Sequence, residues 1–171
     1  MVPPQQTEAW QRGPVEGFEP LVMPMVHALI QAREDLDQLA ANVPDALVWQ
    51  RPGGAASIGF HVRHTGGALD RLLTYARGEA LSEPQRAAAR VEGAAGDPPA
   101  TLAAVVADVN QIIERALEEL RALPKDRLLE PRTVGRAALP SNVLGLLFHA
   151  AEHATRHVGQ AITTAKILMG S

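Results

Sequence analysis

Between residues 102 and 120 an apolar side chain recurs at steps of three and four: Leu102, Val105, Val106, Val109, Ile112, Ile113, Ala116, Leu117 and Leu120. That step matches the turn of an α-helix and places the set on one stripe. Three further stretches share it. Leu21, Val22, Met25, Val26, Leu29, Leu36, Leu39 and Val43 form the first, and Ile58, Val62, Leu69, Leu72, Leu73 and Ala76 the second. Val143, Leu147, Ala150, Ala154, Ala161, Ala165 and Leu168 form the last. None shows the period-two alternation of a half-buried strand. Four amphipathic helices must bury four stripes against one another, so the expected class is all-α, a four-helix bundle with helices near 18–43, 57–77, 98–121 and 141–169. Alanine and leucine dominate the apolar residues while aromatics are 4%, a bias that favours helix.

Punctuation residues divide the stripes. Pro44 ends the first stretch and the run 50–56 (QRPGGAA) reads as a loop. Ser57 is the expected cap of the second, Gly78 its stop, and Gly66-Gly67 within it points to close packing or a kink. Asp97-Pro98-Pro99 is read as the opening of the third and Ser141 as the cap of the fourth. Residues 79–97 form a connection in which 83–91 can make a short extra helix, and 122–140 an irregular loop. Both exceed the roughly 2–8 residues usual between bundle helices, which calls for crossovers or a loop that lines a site. With no internal repeat, residues 1–171 are expected to form one domain.

Several functions are disfavoured by composition. A net charge of -3 without a basic run gives no grip on a phosphate backbone, so no nucleic acid is expected. The absence of cysteine excludes disulfides, zinc-thiolate sites and a cysteine nucleophile. Met1 to Pro14 lacks the apolar run of a signal peptide, and no stretch approaches the roughly 20 apolar residues of a membrane span. The expectation is a cytoplasmic protein without a membrane partner.

Chemistry concentrates in the histidines. His61 and His64 lie on the second stretch; His149, His153 and His157 on the fourth. Residues four apart share a helix face, the spacing with which two imidazoles bind one ion, and a third from another helix completes a site with open positions. At about 100° per residue, His157 lies at the edge of its apolar stripe, His153 further round and His149 furthest toward solvent. The same arithmetic turns His61 closer to the stripe than His64, so pattern alone leaves the third ligand open. His27 lies off its own stripe and reads as an ordinary surface or core residue.

The segments SIGFHVRHTGGALDRLL (57–73) and LLFHAAEHATRHVGQAI (146–162) resemble the DinB superfamily of metal-binding four-helix bundles, also called DinB/YfiT-like. In that family a Ser or Thr followed by an apolar residue opens the second helix, and a histidine follows seven positions on. Ser57, Ile58 and His64 match it. A histidine pair four apart, the second followed by x-Gly-Gln, is matched by His153, His157, Gly159 and Gln160. The resemblance covers 18–169, leaves Trp10 to Pro20 without a counterpart, and selects His64, His153 and His157 as ligands. His61 and His149, each one step before a proposed ligand, become candidate partners behind it or competing ligands.

The resemblance implies a divalent metal, zinc or nickel first, with iron also suited to imidazole and copper to the same donor type. It implies a small-molecule substrate or low-molecular-weight thiol, an S-transferase or hydrolase reaction, and a homodimer. Arg63, Arg136 and Arg156 are candidate cations for an anionic substrate group, although a solvated charge is the ordinary role of each. Glu152 points about 100° away from His153 and is not assigned as a base. The alternative is a non-catalytic metal- or ligand-binding module of a stress response, kept open because no obvious carboxylate base accompanies the histidines. A structural dimer whose histidines titrate without metal is a third reading.

Overall fold

A computed structural model describes residues 7–170. Among the described residues there are five α-helices: α1 (Met23–Asn42), α2 (Ile58–Arg77), α3 (Glu83–Arg90), α4 (Leu102–Ala122) and α5 (Val143–Met169). The four long ones are the bundle. Both α1 and α2 pack on α4 and on α5, so α1 and α2 occupy one diagonal of the bundle and α4 and α5 the other. The connections from α1 to α2 and from α4 to α5 therefore cross a diagonal, whereas α2 and α4 are neighbours and the long connection between them carries α3.

The stripes become the core. Val26, Leu29 and Leu36 of α1, Ile58, Val62 and Leu69 of α2, Leu102 and Ile113 of α4, and Val143 and Ala161 of α5 are all 2% exposed or less. Alanines 150, 151, 154, 161 and 165 of α5 are buried, and small residues there let the helix axes approach closely. Gly66 and Gly67 of α2 mark close packing rather than a kink. A Cβ on Gly66 would stand 3.0 Å from Val109 and Ile112 of α4, and Gly67 faces a carboxylate described below.

Helix ends follow local chemistry, not always at the residue expected. Ser57 accepts from Phe60 N at the start of α2, and Gly78 closes that helix at φ 84°, a conformation glycine adopts without a Cβ clash. The third long helix opens later than expected: Thr101, not Asp97, caps α4 by accepting from Ala104 N. Asn142, rather than Ser141, caps α5, accepting from Gly145 N at 2.7 Å. The first stretch begins as a 3-10 turn, Pro20–Val22, before α1.

The loop expected over 122–140 holds an antiparallel hairpin, β1 (Pro131–Val134) and β2 (Leu139–Asn142), registered Pro131 to Asn142 and Val134 to Leu139. Four-residue strands are too short to show alternation in sequence, which is why they were not expected. Arg132 Nε donates to the Ala76 carbonyl at 2.7 Å and fastens the hairpin to the end of α2. The short helix α3 starts with a capping box between Ser82 and Gln85.

Candidate metal centre

The pair α2 and α5 makes the most extensive contact in the bundle and carries all five clustered histidines. Across that contact, His64 Nε2 lies 3.0 Å from His153 Nε2. The ring centroids of His64 and His157 are 4.4 Å apart, and those of His153 and His157 4.6 Å. One nitrogen from each of His64, His153 and His157 falls within 4.8 Å of the others, an arrangement that can hold a metal ion. Phe60, one turn before His64, stacks on its ring at 5.2 Å and 15°.

The angular arithmetic placed His61 nearer the core, and His61 is indeed buried at 8% exposure. Its depth keeps it behind His157, with the two Nδ1 atoms 3.1 Å apart. His64, half-buried, is the one whose Nε2 reaches the α5 pair. His149 is about half exposed and turns its Nδ1 to Glu152 Oε1 at 2.8 Å, leaving its ring 5.5 Å from His153. Glu152 also takes Arg156, at 2.6 Å, so both its charge and that arginine are committed at the surface. Arg63 donates to the Ala94 carbonyl and lies 4.5 Å over the Trp49 ring. Arg136 sits in the hairpin turn. None of the three arginines hydrogen-bonds a histidine of the cluster among the described residues.

Glu92 was not expected. It is 8% exposed, on the connection after α3, and its Oε2 lies 2.7 Å from His64 Nδ1 while its Oε1 accepts from Arg71 Nη1 at 2.7 Å. A carboxylate can only accept, so His64 carries its proton on Nδ1 and leaves Nε2 bare toward the cluster. Carboxylate–histidine pairs of this kind orient metal-ligating imidazoles and raise their basicity. A Cβ on Gly67 would collide with Glu92 Oε1 and stand 2.9 Å from Arg71 Nη1; the missing side chain is what admits the carboxylate. That glycine, costly within a helix, is the one trace of the arrangement in the sequence.

Electrostatics favour neutral imidazoles. Burial first, then the neighbouring His64, His153 and His61, pull His157 down to about 4. Burial and His64 lower His61, and burial followed by His64 and His149 lowers His153. Burial by itself would raise the Glu92 carboxyl; hydrogen bonds from His64 and Arg71 outweigh it and hold the group below the usual carboxylate range. His153 Nδ1 is buried without a hydrogen-bond partner. His153 and His157, biased to the unprotonated form and the former with an unpartnered nitrogen, beside a His64 ring pinned by a carboxylate, suit a borderline divalent cation.

The family model of the DinB superfamily matches residues 28–161. A crystal structure of a conserved protein from Enterococcus faecalis superposes with a TM-score of 0.67 at 16% identity, over 88% of this chain and 98% of that one, and so shares the fold. No curated protein matches the sequence. No helix among the described residues is long and apolar enough to cross a membrane. With the family model spanning both histidine helices and the bundle shared with a solved structure, the chain belongs to the DinB superfamily.

Proposed function

We propose that His64, His153 and His157 ligate a divalent metal ion, zinc or nickel by donor type, and that the chain is a metal-dependent enzyme acting on a small molecule. The observation that carries this reading is the Glu92–His64 pair beside the α5 histidines, since it holds the His64 proton away from the face shared with His153. A divalent ion there would lower the pKa of a bound water or thiol toward neutrality, a nucleophile suited to thiol transfer or hydrolysis. The protein's own part is positional. Glu92 and Arg71 fix the His64 ring, His61 buttresses His157, and Phe60 covers one face of His64. The three ligand residues are half-buried, which leaves a side of the cluster open to solvent.

A second reading, a metal-binding module without catalysis, draws support from Glu92 itself. Both its oxygens are engaged, so it is not a free base beside the cluster. Metal content by mass spectrometry on untagged protein, for the wild type and for His64→Ala, His153→Ala and His157→Ala, tests the shared premise. About one ion per chain, lost in each variant and kept in His61→Ala, is the expected result. No bound ion, with a melting temperature unmoved by zinc or nickel, overturns both readings. Thiol-transfer and hydrolysis assays on the loaded protein then separate them.

A further inference from the structure

Away from the five clustered histidines, and with His27 on its wall, a cavity of about 430 Å³ opens between α1, α5 and the segment before α1. That volume lies within the range of small-molecule sites. Pro24, Ala28 and Ala32 of α1 and Val158 of α5 give it an apolar floor, while Glu8, Trp10 and Asp35 supply its charge and its aromatic face.

These three are held in place. Ala9 N donates to Gln31 Oε1 at 2.9 Å, and Gln31 Nε2 donates to Asp35 Oδ1 at 2.8 Å, so one amide ties the N-terminal turn and positions the carboxylate. Arg12 grips Glu34 with two hydrogen bonds, 2.7 and 2.5 Å, which fastens the turn again and consumes that charge pair. His27 Nε2 donates to the Gly13 carbonyl at 3.0 Å. Trp10 stays 63% exposed, its indole N–H donating to Glu8 Oε2 at 2.6 Å. Glu8 and Asp35 thus line one cavity with only neutral donors on them, and no cation pairs with either among the described residues.

We propose that this cavity binds a small organic cation, an ammonium group on an apolar body, between the Trp10 ring and the carboxylates of Asp35 and Glu8. Indole faces attract cations, carboxylates supply the counter-charge, and the apolar floor takes the rest of the molecule. Burial raises the Asp35 carboxyl despite the Gln31 hydrogen bond, and Glu34 and Glu8 push the same way, the direction of a carboxylate lacking a cation. Glu8 and Trp10 lie before the family-matched region, so half the site is built by a segment outside it. None of the five clustered histidines lines it.

The test is titration calorimetry of the full chain with benzyltrimethylammonium, which has no lone pair for a metal, against neutral benzyl alcohol. One saturable site per chain is expected, with the cation bound at least about tenfold more tightly than the alcohol. Asp35→Asn should weaken the cation about tenfold while leaving the alcohol within about twofold, and Trp10→Leu should weaken both. Glu8→Gln serves as a second charge variant that leaves α1 untouched. Equal affinity for cation and alcohol, no saturable binding, or cation binding unchanged in both charge variants would each overturn the proposal.

Discussion

Glu92 and His64 are 28 residues apart in sequence, yet Oε2 of one lies 2.7 Å from Nδ1 of the other. The carboxylate comes from a connection rather than a helix, reaches α2 through the gap left by Gly67, and is shared with Arg71. It decides which nitrogen of His64 faces the α5 pair. Several expectations rest on that relationship.

Replacing Glu92 with Gln keeps the shape and removes the charge. An amide can still accept from His64, so the fold should persist with a melting temperature within a few °C of wild type. Metal affinity should fall roughly 10–100-fold, the usual cost of losing a carboxylate behind a ligating histidine. Competition with a chromophoric chelator reads this directly; unchanged affinity would show that Glu92 does not support the ligand.

Gly67→Ala separates helix propensity from site architecture. In an undemanding helix position this change stabilises by about 1 kcal/mol. Here the added methyl meets the Glu92 carboxylate and the Arg71 guanidinium, so that gain should be absent and metal affinity several-fold lower. A variant that both melts higher and binds metal normally contradicts the packing described.

The metal-free protein should lose stability on mild acidification. His157 is held down to about 4, below its ordinary value, with His61 and His153 lowered too. Below pH of about 6.5 the unfolded chain takes up protons that the folded chain refuses, so stability falls between pH about 6.5 and pH about 4 and is flat above pH about 6.5. The depressed Glu92 carboxyl adds to the loss only at lower pH, below about 4.5, where the unfolded carboxylate protonates. Thermal melts of chelator-treated protein should show the midpoint dropping by several °C across the first window, and less in His157→Gln.

Gly59 admits the Trp49 ring: a Cβ there would lie 2.6 Å from Trp49 Cη2. Gly59→Ala should therefore displace the indole, breaking its hydrogen bond to the Ala100 carbonyl, and cost roughly 1–3 kcal/mol as an overpacked contact does. A red-shifted tryptophan emission with a lower melting temperature is the expected signature.

Much of this architecture is legible in the sequence because one periodicity carries it. The stripes on α1, α2, α4 and α5 name most of the buried residues, although Leu21 is 61% exposed and Ala32, Leu146, Ala151 and Val158 are buried outside them, and Ser57 and Gly78 mark the ends of α2. What escapes has no period. The hairpin strands are four residues each, and Thr101 and Asn142 lie a few residues from equally good capping residues. The histidine spacing points to α5 and its partner helix, but which residue of α2 faces α5 depends on helix rotation. A rule of 100° per residue cannot resolve one step of three when the stripe is broad. Glu92 escapes entirely, since a carboxylate in a loop carries no signature until the loop is placed.

The diagonal arrangement of the bundle sets an order on events in the growing chain. His64 and His153 are 89 residues apart, and His61 and His157 are 96, and the helices bearing them are not consecutive. Neither α2 alone nor a nascent chain lacking α5 brings the three imidazoles together. Capture of an ion by the triad must therefore wait until the last helix has been synthesised and docked. Occupancy of that triad would then report completed assembly, and an ion bound there would hold α2 and the last helix of the bundle together.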